Sequence, residues 1–406
     1  MSPWQLLLLS FLSAAFLLVA WHNIRGIRAL RQTPRAEPLP PRHWEQGDYW
    51  PMVSVVVDAK APPGQIEACI ESLRSQDYPR YEILLAVPGM DLGAWSWLER
   101  PEPENGRLRL ISVARKSDLD ARDGVSPDDA VHQAHGSWLL FARGNETFHP
   151  SCLTSLVREA LQHRADLVEA IPSLTVRPAC GTGLLTAAGA AMSFMSTRCS
   201  LSAGPVEDAS ANVLAGESVL LVRRISHDEV DGFDRLAIPA AGVLHFVRGF
   251  HEAGLRVRRV LAAELVNATL DARSSPVSAL VTDSSAAWIG ASRLRWLALS
   301  LRLMLSTLFP FLALGLLLGL GISSRTNPLE TLLAVAGLAA LTLHAAREFL
   351  IARSFQLPWV WLLSRATTLP AAATVVAGSF PRRSRLTLES QTPTEAFRTD
   401  PITAPS

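Results

Sequence analysis

Net charge is the first thing this sequence lacks. Thirty-eight Lys and Arg stand against 37 Asp and Glu, a formal net charge of +1. No whole-molecule field draws in a polyanion, and no basic stripe interleaved with aromatics marks a nucleic-acid surface, so no nucleic-acid partner is expected. Cysteine is scarce too. Cys69, Cys152, Cys180 and Cys199 stand far apart with no Cys-X-X-Cys spacing, which argues against a zinc site or a disulfide frame and for buried, reduced thiols. No Lys or Arg precedes the first apolar run, as a cleaved secretory signal would require, so a retained membrane anchor is expected there.

What the sequence has is apolar residues in two blocks. Trp4–Trp21 is 18 residues without a charge, which at about 1.5 Å per residue nearly crosses a hydrocarbon core of roughly 30 Å. Arg25, Arg28, Arg31 and Arg35 follow it. Basic flanks stay cytoplasmic, so the N-terminus should face outward and the middle of the chain should lie in the cytoplasm. The second block holds Leu297–Leu320, then Leu329–Leu343 with its continuation to Ile351, then Leu357–Phe380. If all three span, Arg382, Arg383 and Arg385 end outside against the positive-inside tendency. Leu357–Phe380, with Arg365 and Pro370 inside it, is therefore the segment expected to be re-entrant or interfacial. The expected layout is an anchor (1–24), a basic, proline-rich linker lifting the next domain off the bilayer (25–51), a cytoplasmic domain (52–296), a membrane region of two or three spans (297–380) and a disordered tail (381–406). Such a chain is a multi-pass membrane protein, of the plasma membrane if bacterial.

Within the middle, the period of the apolar residues alternates between strand and helix. Val53–Val57 reads as a strand buried on both faces, Gln65–Ser75 as a helix with Ile66, Cys69, Ile70 and Leu73 on one side, and Tyr81–Val87 as a second strand. Arg107–Val113, Trp138–Ala142 and Asp166–Ile171 continue as strands, with helices at Asp128–Ala134 and His149–Gln162. Further strands are expected at Asn212–Val222 and Val257–Leu265 with a helix at Val243–Ala253, and Gly181–Met195 reads as an interfacial or a buried helix. The fold class is α/β: an open, mostly parallel sheet flanked by helices, with transmembrane helices at both ends. Ligands of such sheets bind beyond the carboxyl ends of the strands, here after Val57, Ala86 and Phe141.

Val53–Val57, the run Glu71-Ser72-Leu73-Arg74-Ser75-Gln76-Asp77-Tyr78-Pro79 and Tyr81-Glu82-Ile83-Leu84-Leu85 resemble the opening of family 2 glycosyltransferases. Gly136-Ser137-Trp138-Leu139-Leu140-Phe141 followed by Phe148-His149-Pro150 resembles that family's next landmark. The branch it is most similar to is the membrane lipid glucosyltransferases, such as ceramide glucosyltransferase and its hopanoid and carotenoid relatives. The resemblance covers roughly Val53–Trp296. It implies a GT-A fold, a nucleotide-sugar donor and a membrane-lipid acceptor.

The places where the family carries its chemistry are altered. Its metal-binding Asp-X-Asp falls on Arg143 and Asn145, and its Glu-Asp pair, which includes the general base, falls on Gly242 and Val243. Asp58 and Asp91 are the acids left to contact the nucleotide after the first two strands, and Arg143 could hold a diphosphate in place of a metal. No resident metal is expected, with Mg²⁺ or Mn²⁺ possible only through a weak site at Asn145 and Glu146. Arg295 and Trp296 match a landmark on the acceptor and membrane side, although Ser292 takes its leading place. Glu207-Asp208, His132 and His135 are weaker candidates for a base, each read more simply as a loop or a helix end; His245 and His251, six apart and near opposite faces of one helix, indicate neither shared metal binding nor a relay and read as surface or packing residues; and Asp231 and Asp234 resemble a turn before the acceptor helix. Two readings stay open. One is an enzyme with a rebuilt site, and the other is an inactive homologue acting as a membrane scaffold or regulatory partner of another protein.

Overall fold

A computed structural model describes residues 3–39, 50–59, 61–88, 95, 108–113, 128–177, 218–232, 242–271, 315 and 328–356. Leu297–Leu320 apart from Gly315, Leu357–Phe380, Gly181–Met195 and the tail lie outside these residues.

The β-branched run forms β1 (Val53–Asp58), and its first five residues are buried. Its odd residues Val53, Val55 and Val57 pack on one side, against α2 (Pro63–Arg74) and α4 (Cys152–Gln162). Val56 packs on the other, with Phe141, Phe246, Val247 and Phe250. Alternation of this kind buries both faces of one strand under helices. Helix α2 starts on Pro63, where a missing N–H costs nothing, and buries Ile66, Cys69, Ile70 and Leu73. Each of these large apolar side chains contributes about 1.5–3 kcal/mol on burial.

The other strands are β2 (Tyr81–Pro88), β3 (Leu108–Val113), β4 (Trp138–Arg143), β5 (Glu146–Phe148), β6 (Leu167–Ile171), β7 (Ser173–Arg177), β8 (Val219–Arg223), β9 (Val257–Leu261) and β10 (Val266–Asp271). Between them lie α3 (Asp128–Val131), α5 (Arg224–Glu229) and α6 (Gly242–Glu252). Seven strands form the main sheet in the order β3-β2-β1-β4-β8-β6-β9, and only β8 runs against its neighbours. The mixed α/β architecture with a mostly parallel sheet is as expected. A second sheet, β5-β10-β7, was not anticipated. The run read as one strand from Val257 to Leu265 breaks at Ala262, whose carbonyl accepts from both Leu265 and Val266. That turn takes the chain out of the main sheet and into the second. The helix expected from His149 starts at Cys152, because His149 donates its backbone N–H to Leu265 and the Pro150 carbonyl accepts from Asp77. The part of the Asn212–Val222 strand before Ser218 lies outside the described residues.

The expected linker, 25–51, is not a free spacer: residues 25–32 continue the first helix, and the next few residues are tied to the sheet. Pro34 accepts from Leu261 N–H at 2.8 Å and Ala36 donates to the Leu261 carbonyl at 2.9 Å. Ser155 and Ser151 hold Glu37 and Leu39 in the same way. Residues 34–36 therefore pair with Leu261 at the end of β9 and cover backbone groups that an open edge would expose, and Glu37 and Leu39 are held at the start of α4.

Two long helices pair outside this domain: α1 (Pro3–Gln32) and α7 (Pro328–Ser354). Phe16, Val19, Asn23, Gly26 and Leu30 are buried on α1, and Leu333, Gly337, Ala340, His344, Arg347, Ile351 and Ser354 on α7. Both series step by three and four residues, the spacing of a two-helix seam. The pair is parallel, since Phe16 meets Gly337, Asn23 meets His344 and Arg347, and Arg35 donates to Ser354. Among the described residues one helix, Leu333–Ser354, is long and apolar enough by the measure of length and composition to cross a membrane.

Candidate functional site

The strand order places the site. From β1 the sheet grows one way through β2 and β3, and then β4 adds on the other side of β1. The crevice at the carboxyl ends of β1 and β4 is thus the switch point where open α/β sheets bind ligands. Asp58 and Arg143 are register partners there, both half-buried. Neighbouring strands lie about 4.8 Å apart across the sheet, so the two side chains leave from adjacent backbones.

The β4–β5 connection behind them is tight. Gly144 donates to the Asp58 carbonyl at 3.0 Å. A Cβ on Gly144 would come within 2.7 Å of Ile66 Cγ1 and 2.9 Å of that same carbonyl, so this turn accepts no side chain. Asn145 Nδ2 donates to the Thr269 carbonyl at 3.1 Å, and Asn145 O accepts from Thr269 N–H. Glu146 is wholly buried and accepts the Arg143 backbone N–H at 2.8 Å. The Asn145 amide therefore faces β10, and the Glu146 carboxylate points back under the strand. The weak Mg²⁺ or Mn²⁺ site entertained for these two residues does not fit this geometry, because their oxygens do not converge and a guanidinium is attached at 143. Among the described residues no group of three or more His, Cys, Asp and Glu could hold a metal ion. Burial, with the Glu146 carboxylate nearby, pushes the Cys69 and Cys152 thiols well up, so both stay un-ionised and inert.

Val243 is the second residue of α6. This helix runs back toward the start of β9, which is parallel to β6, so its N-terminus lies toward the carboxyl ends of the strands. No carboxylate stands at Gly242 or Val243. Asp91, Glu207, Asp208, Asp234, Arg295 and Trp296 lie outside the described residues.

His135 sits at the wrong end of the sheet for a base. Its backbone N–H and ring meet Glu82 at 2.7 and 3.1 Å, and Glu82 also accepts from Ser54 at 2.7 Å. Ser54 and Glu82 are second residues of parallel strands, which puts this network at the amino edge. Burial alone would raise the Glu82 carboxyl, but Ser54 and His135 together hold it below the ordinary carboxylate range. His132 is exposed in the adjacent turn. Burial, then the Arg259 charge, lowers His251 against an opposing pull from Glu169.

Sequence reasoning passed over His227. Its ring is 4% exposed, with Nε2 3.1 Å from Asp128 Oδ1 and Nδ1 3.1 Å from Asp228 Oδ1. It stacks on Phe141 at 5.8 Å and meets Phe246 at 5.7 Å. Burial pulls the imidazole down, but the hydrogen bonds and charges of the two carboxylates outweigh it and raise it above its ordinary value. Phe141 lies two residues before Arg143 and Phe246 three residues after Val243. The imidazole thus braces both elements that end at the switch point. Gly232 closes the cluster at φ +59°, and only its Asp231-Gly232 turn left a signal in the sequence.

No family model matches the chain, and no curated protein does. Solved structures similar to it include the mannosyltransferase PcManGT from Pyrobaculum calidifontis in complex with GDP-Man and Mn²⁺. It is 14% identical at a TM-score of 0.43, over 91% of this chain and 98% of that one. S. aureus TarS 1-349 in complex with UDP-GlcNAc is 12% identical at a TM-score of 0.39, over 80% of this chain and 83% of that one.

Proposed function

We propose that the chain is a membrane-anchored, GT-A-type protein of the family 2 glycosyltransferase kind, which binds a nucleotide sugar at the carboxyl ends of β1 and β4 and serves a membrane-lipid acceptor. The observation that carries this reading is the switch point itself, with Arg143 and Asp58 in register at its mouth. The sequence resemblance supplies the ligand class. A diphosphate in that crevice needs positive charge, and the planar guanidinium of Arg143 offers two N–H donors at once where a divalent ion would otherwise bridge. In this reading Asp58 accepts from the base or ribose of the nucleotide. The membrane reading is supported by α1 and α7, whose outer faces expose Leu17, Leu18, Trp21, Val335, Leu338 and Phe349.

The second reading is binding without transfer. It is favoured by the absence of a carboxylate at Gly242 and Val243, since the acceptor hydroxyl must lose its proton as it attacks the sugar. Such a protein would act as a scaffold or regulatory partner at the membrane.

The test is titration of the purified full chain with GDP-Man and UDP-GlcNAc, with and without Mn²⁺. Binding of one donor is expected, little altered by metal. Arg143→Ala should weaken it about tenfold or more, the loss of a charge-assisted contact of roughly 1.5–3 kcal/mol. No binding of either donor would sink the nucleotide-sugar reading. A tenfold tightening by Mn²⁺, about 1.4 kcal/mol, would show that the metal site survives. Sugar transfer to extracted lipid by the unaltered protein would end the second reading.

A further inference from the structure

The outer face of α1 changes character along its length. At about 100° per residue, Leu17, Leu18 and Trp21 fall opposite the seam that meets α7, and they are 65%, 62% and 55% exposed. Arg25, Arg28 and Arg31 continue the same face, with Arg25 half-buried and the other two exposed. Apolar, aromatic and cationic groups thus follow one another toward the domain, the order met on passing from hydrocarbon through the interface to the headgroups. Among the described residues none of these three guanidinium groups makes an ion pair, and α1 contains no Asp or Glu. Arg35 is turned aside to Ser354, which fixes the end of the ladder against α7.

We infer that Arg25, Arg28 and Arg31 form a docking ladder for the headgroup phosphates of anionic phospholipids in the leaflet facing the domain. The inference rests on the proposed reading that α1 spans the membrane. Each guanidinium follows the last after three residues, about 300°, so the three spread over roughly 120° of the outer side and meet neighbouring lipid phosphates without rearrangement. A ladder that selects anionic lipid beside the domain also fixes how far the switch-point crevice stands from the bilayer, because Pro34 and Ala36 tie the chain after α1 to Leu261 of β9.

The test uses the full chain, purified in mild detergent with phosphatidylcholine and phosphatidylglycerol in equal parts, and counts the lipids retained by native mass spectrometry. Each arginine at an anionic surface is worth roughly fivefold in partition. Phosphatidylglycerol should be enriched severalfold on the unaltered chain, less so as salt is raised. The enrichment should vanish in the triple variant Arg25→Gln, Arg28→Gln, Arg31→Gln and persist when the same three are changed to Lys. Equal lipid ratios on the unaltered chain, or undiminished enrichment in the Gln variant, overturn the inference. So does loss from the Gln variant of a co-purifying acidic protein with the lipid ratio unchanged. Alkaline carbonate separates the two failures. Release of the unaltered chain from membranes sinks the spanning reading and the inference with it, whereas retention with equal lipid ratios sinks the inference alone.

Discussion

Asp128→Asn isolates the buried charge that holds the His227 imidazole above its ordinary range. Both side chains are 5% exposed and their pairing distance is 3.1 Å. The other partner, Asp228, has a side chain 63% exposed, so water screens it. With Asp128 neutral, burial becomes the stronger influence and should pull the imidazole back down. The sign of the pH effect follows. In the unaltered chain the folded-state value of His227 is raised above its unfolded value of about 6.5. Its contribution to stability is therefore fully present below about pH 6.5 and is lost as pH rises through the raised folded value. In the variant the burial penalty remains alone, so acid should destabilise it.

The gap between the two proteins should consequently widen as pH falls from about 8.5 to about 5.5. Breaking one side of a buried ion pair costs about 3–5 kcal/mol when the remaining charge stays uncompensated. In a domain of this size each kcal/mol moves the melting point by about 2–4 °C, so a gap of roughly 6–20 °C is expected at the acid end and a smaller one at the alkaline end. Thermal unfolding of the full chain in detergent, followed by tryptophan fluorescence across that range, measures it. A gap that stays constant, or that grows toward alkaline pH, would refute the charged-pair account.

Gly232→Ala should be at least as damaging as Asp128→Asn and should erase the same pH dependence. It forces a side chain to φ +59° at about 1–2 kcal/mol and sets a Cβ 2.8 Å from Asp128 Oδ1 and His227 Cε1; a fully stable variant with its pH profile intact would show that the turn opens freely. A cysteine placed at Asn105 should react with a membrane-impermeant maleimide only after cells are broken, as a cytoplasmic domain requires, and labelling of intact cells would reverse the orientation.

The main sheet was legible because its strands carry their own signal. Val53–Asp58 is apolar on both faces, and the four buried residues of α2 recur at helical spacing. The second sheet had no such signal. β5 is three residues long and exists because Glu146 and Thr147 pair with Ala268 and Asn267, more than a hundred positions away. The break at Ala262 was hidden for the same reason, since apolar residues continue on both sides of the turn. Prolines made residues 34–39 look like a spacer, yet a proline lacks only the donor, and the carbonyl of Pro34 accepts from the sheet edge. At the site, Arg143 was legible as a change of charge where the resemblance placed an aspartate. His227 was not, because its partner Asp128 stands 99 positions earlier in an unrelated element.

The altered positions are not one lesion. Arg143 and Asn145 belong to the β4–β5 turn, which is locked by Gly144 against α2 and by Asn145 against β10. Gly242 and Val243 open α6, which is held through Phe246 to His227 and Phe141. Each place is fixed by its own packing, so under the proposed function the lack of a carboxylate at Gly242 and Val243 need not disturb the crevice between β1 and β4. Diphosphate binding asks only for positive charge and backbone donors at the strand ends, whereas transfer asks in addition for a proton acceptor at the acceptor hydroxyl. The first demand can be met by Arg143 and the second has no carboxylate at Gly242 or Val243 to meet it. Nucleotide affinity and turnover are therefore separate quantities in this fold, and evidence for one is not evidence for the other.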